Sequence, residues 1–321
     1  MESSGPTVSP LRIENGRWLE SATLREDASL DVGRIGIWFH TDGLPAAEAA
    51  ALVQRIEALG YGTFWFGEGF GRDPLVHAAF LLSRTTKLVI ATGIASIYSR
   101  DPVAMLGGAH ALAEQSDGRF LLGLGVSFAP LVEPRGHVWG PPVASMRDYL
   151  ARMEAAHYGG VAPKAPAPIV LAALGPRMLA LAAEQTQGAY PCNVTPEWTA
   201  AARRQLGSEA WLCIDQKVVL ETQPTRAREI ARDGLSIYLQ APHQRRNWLR
   251  MGFSEADFQN GASDRLVDAL VAWGDEATIA RRIQAHFDAG ATHVAIQPVE
   301  PAGAHRPSER VLEAFAPTGA R

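Results

Sequence analysis

The chain of 321 residues has few cysteines, no long apolar run and no concentration of positive charge. Its two cysteines, Cys192 and Cys213, follow no repeated spacing, which argues against a disulfide framework or a zinc site and fits a reducing compartment. No apolar run approaches the ~20 residues that span a bilayer, and the polar start of the chain lacks the pattern of a signal peptide. These absences predict a cytoplasmic protein that does not interact with membranes.

The charge pattern also excludes classes of partner. The formal net charge is −4, and the densest basic clusters are the pairs Arg203-Arg204, Arg245-Arg246 and Arg281-Arg282. A nucleic-acid surface needs larger clusters of lysine and arginine, so we interpret these pairs as solvated helix faces. The histidines show no metal-ligand spacing with neighbouring acids, and no metal is expected. We expect a small-molecule substrate.

From Arg34 onward, short apolar runs alternate with amphipathic helical segments, whereas residues 1–33 resemble an extension that precedes a single domain of residues 34–321. Strands that are apolar throughout are typical of a parallel sheet covered on both faces. Eight strand–helix units predict a (β/α)8 barrel of the TIM type, with an open doubly wound sheet as the alternative. A long helical tract is predicted from the seventh strand to about Trp273. The predicted strands are residues 34–39, 63–66, 87–92, 119–125, 168–172, 189–194, 216–221 and 292–297.

In such barrels the active site lies at the carboxyl ends of the strands. After the fifth strand, Gly175 permits close backbone approach, and Pro176 begins a helix whose free N–H groups and dipole favour an anion. Arg177 can add a positive charge next to the phosphate of a cofactor. The alternative is a short loop that needs glycine only for its turn.

The segment from Leu122 to Ser127 is rich in glycine but lacks the spacing of a dinucleotide-binding loop. Its glycines either fit the narrow end of the barrel or let a planar ring approach the backbone. Both interpretations remain open.

Two titratable residues follow the first two strands. Glu68 stands between Gly67 and Gly69, where its carboxylate can bond a ring edge or act as an acid; the alternative is a rim charge paired to Arg72 or Arg100. His40 can exchange a proton near neutral pH, and the alternative is a histidine that caps a loop.

With these positions assembled, the chain resembles the luciferase-like oxidoreductases, and within them the branch that uses the deazaflavin coenzyme F420. The similarity runs from about Arg34 to Val299 and rests on an ordered set of blocks. These blocks are residues 59–68, 92–102, 117–126, 174–184, 195–197 and 274–275.

The resemblance implies a TIM-like barrel, usually dimeric, that holds a flavin or deazaflavin ring at the strand ends. Glu68 then contacts the cofactor, and Gly93-Ile94 forms a cis peptide bond behind the ring. The cofactor's tail and phosphate are held by two loops, which the resemblance assigns to Gly125, Val126 and Ser127 and to Gly175, Pro176, Arg177 and Met178.

Two departures limit what the resemblance implies. In the family's sugar-phosphate dehydrogenases a histidine follows the acidic residue, where this chain has Gly69, and Phe128 replaces their catalytic glutamate. That substrate is therefore not carried over, and His40 is the remaining candidate proton donor. Hydride transfer between reduced F420 and a small organic substrate is the leading hypothesis. The alternatives are an FMN-dependent monooxygenase served by a separate flavin reductase, and a non-catalytic barrel that binds a flavin.

Overall fold

A computed structural model describes residues 30–317, together with a short antiparallel pair, Ile13–Glu14 with Arg17–Trp18. The expected extension over residues 1–33 lies largely outside the described residues. Eight parallel strands form a closed barrel, because β7 pairs with both β6 and β8, and β8 pairs with β1. The strands are β1 Ile35–Trp38, β2 Thr63–Phe66, β3 Val89–Thr92, β4 Phe120–Gly125, β5 Ile169–Leu171, β6 Gly188–Ala189, β7 Trp211–Val219 and β8 His293–Pro298. The predicted TIM barrel is confirmed.

Helices cover the outside of the barrel, and most of them begin at a proline, which suits the first turn because its missing N–H has no partner there. Asp73 and Asp101 cap α2 and α3 by accepting backbone N–H bonds with their side chains. The helices are α1 Ala46–Ala58, α2 Pro74–Leu82, α3 Pro102–Gln115, α4 Ala129–Val132, α5 Pro142–Glu154, α6 Pro176–Gln185, α7 Pro196–Leu206, α8 Pro224–Leu239, α9 Pro242–Arg250, α10 Asp264–Leu270, α11 Glu276–Asp288 and α12 Glu309–Ala314.

The barrel strands are buried on both faces, as the apolar runs predict. Alternate residues face inward and pack together inside the barrel, among them Trp65, Leu121 and Val170. Their sequence neighbours, such as Phe64 and Leu122, join the larger cluster between the strands and the helices. This alternation fixes which residues face the interior near the mouth.

The region after β6 differs from the prediction. β7 begins at Trp211, five residues before the predicted start, and the expected long helical tract is divided into α8, α9 and α10. The tract ends in a short strand, Val271–Trp273, which pairs with β7. Pro242 starts a new helix because proline cannot continue the preceding one, and the β-branched and aromatic residues at the end of the tract favour an extended backbone.

The excursion after β4 forms α4 and a 3-10 turn, Glu133–Arg135. Arg135 fixes this turn by donating to Ser99 Oγ at 2.5 Å and to the carbonyl oxygen of Gly69. The excursion therefore lies over the side of the mouth formed by β2 and β3. Within the described residues, no helix is long and apolar enough to cross a membrane, and no three His, Cys, Asp or Glu side chains converge in a metal-binding group.

Candidate active site

The mouth of the barrel has a surface of very small residues. Gly67, Gly93, Gly125 and Ala172 stand at or just beyond the ends of β2, β3, β4 and β5. A Cβ atom on Gly93 would lie 3.0 Å from both Trp38 Nε1 and Tyr190 Cε1, and one on Gly125 would lie 2.5 Å from Ile94 Cδ1. Four neighbouring strands therefore end in backbone or a single methyl group, and the side chains of Trp38, Tyr190 and Ile94 pack closely against Gly93 and Gly125.

The peptide bond between Gly93 and Ile94 is cis, as the resemblance implies. Neighbouring elements hold this bulge through hydrogen bonds. Gly93 N donates to Phe66 O at 2.7 Å, Glu68 N donates to Ile94 O at 3.0 Å, and Trp38 Nε1 donates to Gly93 O at 2.9 Å. The indole of Trp38 thus borders the small-residue surface.

Glu68 lies at the edge of this surface, and both oxygen atoms of its carboxylate contact donors. Its Oε2 accepts from Ser96 N at 2.8 Å and from Arg100 Nη1 at 3.1 Å, and Arg135 Nη1 lies 3.7 Å from Oε1. The side chain is only 6% exposed, so these charge-assisted contacts are shielded from solvent. The pairing with Arg100 matches the rim-charge alternative. The roles of Glu68 in acid catalysis and in cofactor contact remain predictions.

Arg72, the other partner considered for Glu68, donates instead to backbone carbonyl groups of Thr41 and Leu44. His40 is 45% exposed at the rim, with Nδ1 3.5 Å from Asp42 Oδ2. Its ring is edge-on to Trp38 at a centroid distance of 5.9 Å. His40 therefore borders the mouth next to the small-residue surface, where its predicted role as proton donor stays a prediction.

The segment Gly125 to Ser127 turns away from the barrel at the end of β4. Ser127 has a φ of +51°, and Val126 O accepts from Trp139 Nε1 at 3.0 Å. Ser127 and Glu68 line a cleft of about 10 Å³ beneath α4, which has room for about one water molecule. This cleft is too small to hold a planar ring system.

The N-terminus of α6 carries positive charge beyond that of Arg177. Gly175 is the N-cap and offers no side-chain cap, while Pro176 and Arg177 are exposed and Met178 is buried. Arg250 from α9 contacts this turn, because its Nη2 lies 3.5 Å from Leu174 O. Burial and the neighbouring Arg246 both lower the pKa of Arg250, so the arginines of α9 add positive potential at an uncapped helix start.

Sequence reasoning missed Arg250, Arg135 and a buried polar group on β7. Asp215 and Lys217 are 4% and 1% exposed and belong to the inward-facing set of that strand, like Cys213. Charged residues inside an otherwise buried strand are a signal that was available in the sequence. The predicted strand begins at Gln216 and so excludes Asp215, which leaves Lys217 as a single charge within it.

Comparison with known proteins supports the family. A family model described as luciferase-like monooxygenase matches residues 28–293. The chain is 25% identical over 334 residues to the putative coenzyme F420-dependent oxidoreductase Rv3520c of Mycobacterium tuberculosis, with 84% of this chain and 95% of that protein covered. It is 31% identical over 110 residues to the uncharacterized protein Rv1360 of the same organism, a match that spans 34% of this chain and 32% of that relative.

Solved structures share the fold. An F420-dependent secondary alcohol dehydrogenase in complex with an F420–acetone adduct has a TM-score of 0.70 at 14% identity, with 84% of this chain and 94% of that chain covered. The oxygenating constituent of 3,6-diketocamphane monooxygenase from Pseudomonas putida, in complex with FMN, has a TM-score of 0.60 at 16% identity, with 88% and 96% covered. The chain belongs to the luciferase-like monooxygenase family. The family assignment made from the sequence is therefore confirmed, and with it the oxidoreductase class.

Proposed function

We propose that this chain binds coenzyme F420 at the mouth of its barrel and transfers hydride between the reduced deazaflavin and a small organic substrate. The observation that carries the proposal is the set of small residues around the Gly93-Ile94 bulge, where Gly67, Gly93, Gly125 and Ala172 end four neighbouring strands at the mouth. The similarity to the putative F420-dependent relative over 84% of this chain favours the deazaflavin over FMN. When bound, the deazaflavin supplies the two-electron chemistry.

The residues of the chain would then bind and orient the cofactor and shield it from water. Trp38 and Gly93 would orient the ring from below, and Arg177 and Arg250 would hold the phosphate at the start of α6. Glu68 would act as a positioning residue, because it holds Arg100 and Arg135 and so keeps the excursion over the mouth, where it excludes water. We propose a cytoplasmic homodimer as the form in which the enzyme works.

An FMN-dependent monooxygenase is the second candidate. An FMN complex with a similar fold favours it, and the same flat surface suits either tricyclic ring. Titration of the purified protein with F420 and with FMN, followed by cofactor fluorescence, separates the two. We expect micromolar F420 binding and weaker FMN binding. Tight binding of FMN without affinity for F420 would reject the proposal.

The phosphate contact is tested in the same titration. Arg250→Ala removes a charged hydrogen-bond donor and should weaken F420 binding by about 10- to 100-fold, the range that corresponds to ~1.5–3 kcal/mol. The matched control is Arg84→Ala, because Arg84 is exposed just after the C-terminal end of α2, on another side of the barrel from α6. Equal affinities for the two variants would contradict the assigned phosphate position.

A further inference from the structure

Three polar side chains, which we call the interior cluster, lie inside the barrel next to the small-residue surface. They are Tyr190, which follows β6, and Asp215 and Lys217 on β7, with exposures of 3%, 4% and 1%. The chain has only three lysines, and the other two, Lys87 and Lys164, are exposed. Burial of a lysine in the barrel is thus specific to this position.

The interior cluster has unused hydrogen-bonding capacity. Neither Asp215 Oδ1 nor the Tyr190 hydroxyl has a hydrogen-bond partner in the part of the chain that the structure describes. Lys217 Nζ donates to Gln297 Oε1 at 2.8 Å and lies 4.4 Å from the ring centroid of Tyr238. An ammonium group has three N–H donors, so two of them can still bond a ligand.

Some other buried polar side chains of the barrel do have hydrogen-bond partners. His293 bonds Gly33 O at 2.8 Å through Nδ1 and accepts from Trp65 Nε1 at 3.0 Å. Gln216 bonds Leu270 O and His286. A buried polar atom without a partner destabilises the fold, and native proteins keep such atoms mainly where a ligand, a water or a catalytic role accounts for them.

Two further unpaired oxygen atoms, Asn193 Oδ1 and Gln244 Oε1, lie beside the interior cluster. The amide groups of both residues contact Cys192 Sγ, at 3.6 and 3.2 Å, and Cys192 forms a β-bridge with Asp215. Four unpaired polar atoms therefore gather in one region of the barrel.

The interior cluster is connected to the mouth. A Cβ atom on Gly93 would lie 3.0 Å from Tyr190 Cε1, so the Tyr190 ring lies directly against the bulge beneath the proposed cofactor site. Cys192, Tyr238 and Gln297, which border the cluster, are all partly exposed. The interior cluster is therefore bordered by the bulge of the mouth on one side and by partly exposed residues on the other.

We propose that Tyr190, Asp215 and Lys217 bind the oxygen atom of an uncharged carbonyl or alcohol substrate, with Lys217 donating to this oxygen and Asp215 holding the proton exchanged with it. The charges of Lys217 and Asp215 offset each other, which favours an uncharged group over an anion or a cation. A hydroxyl group both accepts and donates hydrogen bonds, which matches free donors on Lys217 and a free acceptor on Asp215. This inference rests on the proposed function.

The raised pKa of Asp215 suits a group that exchanges a proton with the substrate. Burial raises its pKa to about 6, although Lys217 opposes the shift, so the acid and the carboxylate are both accessible near neutral pH. The titratable or charged groups that face it are Tyr190, Cys192, Lys217 and Tyr238. Burial raises the pKa of both tyrosines and of the thiol, so these three remain neutral while Asp215 titrates.

The reaction balances with reduced deazaflavin as the reductant. Reduced deazaflavin would supply a hydride for the new C–H bond at the carbonyl carbon, while the C=O π bond breaks. Its electron pair takes the proton of Asp215 to form the O–H bond, and Asp215 remains as a carboxylate near Lys217. Oxidation of an alcohol is the reverse reaction, in which the Asp215 carboxylate accepts the proton and the oxidised deazaflavin would accept the hydride.

The test observes lysine directly. Protein labelled with ¹³C at lysine Cε gives one signal for each of its three lysines. The Lys217 signal is identified as the one protected from a soluble paramagnetic agent and absent from Lys217→Met. The full-length protein is loaded with oxidised F420 and titrated with acetone, cyclohexanone and acetophenone. A ketone and an oxidised cofactor cannot react, so binding is measured without turnover.

We expect at least one ketone to shift the Lys217 signal while the signals of Lys87 and Lys164 stay unchanged. Lys217→Met should weaken ketone binding at least tenfold, and the exposed control Lys164→Met should not. Asp215→Asn should change ketone affinity less than threefold, because its amide still donates, but lower kcat at least 100-fold at unchanged KM.

Two results would overturn the inference while leaving the proposed function intact. One is F420 binding with no ketone shifting the Lys217 signal. The other is cyclohexanecarboxylate binding more tightly than cyclohexanone, which would make the interior cluster an anion site. A protein that does not bind F420 at all would refute the proposed function, and this inference with it.

Discussion

Replacing Asp215 by asparagine should stabilise the protein at neutral pH. Burial raises the pKa of Asp215 from its ordinary 3.8 to about 6. In the folded state the carboxyl group therefore keeps its proton to higher pH than in the unfolded chain. The folded state binds more protons between these pKa values, so the free energy of unfolding falls as the pH rises through this window and is constant above it.

The magnitude follows from the two pKa values. Because one pKa unit corresponds to ~1.4 kcal/mol, the buried carboxyl group destabilises the fold by ~3 kcal/mol at pH 7.5 and by ~1 kcal/mol at pH 4.5. Asparagine has nearly the shape of the protonated acid and carries no charge, so this effect is absent from the variant. The stability advantage of Asp215→Asn should therefore grow by ~2 kcal/mol between pH 4.5 and pH 7.5.

Urea unfolding followed by tryptophan fluorescence at both pH values measures this difference. The pKa of the buried histidines His77, His286 and His293 is lowered by burial, but these residues titrate in both proteins and cancel in the comparison. Asp233→Asn on the exposed face of α8 is the matched control and should show no such pH dependence. A stability difference for Asp215→Asn that does not change with pH, or a variant less stable than the wild type at pH 7.5, would refute the reasoning.

Three further predictions concern the mouth and the surface. Gly125 is buried, and a Cβ there would lie 2.5 Å from Ile94 Cδ1, so Gly125→Val should displace Ile94 from the bulge and weaken F420 binding at least tenfold in a fluorescence titration. Gly107→Ala, at a position with no atom within 4 Å, should not weaken binding, and equal affinities would argue against a ring position at the bulge. Glu68→Gln removes the charge that holds Arg135, so hydrogen exchange of α4 and the following turn should accelerate while the barrel strands stay protected; unchanged exchange would contradict the role of Glu68 as an anchor. The proposed homodimer predicts that the protein sediments at about twice the 34.6 kDa mass of one chain in analytical ultracentrifugation; sedimentation as a single chain would reject the homodimer.

Much of the fold follows from local patterns in the sequence. The apolar runs that become β2 and β4 predict buried strands, and a proline followed by helical periodicity predicts the starts of α3 and α6. The start of β7 is harder to predict, because Asp215, Gln216 and Lys217 interrupt its apolar run. These side chains remain in a strand because parallel pairing with β8 and the interior location override their low strand propensity.

Some parts of the candidate site can likewise be predicted from the sequence, and others cannot. The Gly93-Ile94 and Gly175-Pro176 segments can be located from the sequence, since each directly follows a strand of a barrel. The partners of those segments cannot be, because barrel closure brings them from distant parts of the chain. Arg135 reaches Glu68 from 67 residues away, and Arg250 approaches α6 from α9. Sequence spacing carries no information about such contacts.

A crystal structure of the protein in complex with oxidised F420 tests the central claim most directly. We expect the deazaflavin ring in van der Waals contact with Gly93 and Gly125, and the phosphate between Arg177, Arg250 and the N-terminus of α6. Cofactor density outside the barrel mouth, or a ring turned away from the Gly93-Ile94 bulge, would contradict this account of the site.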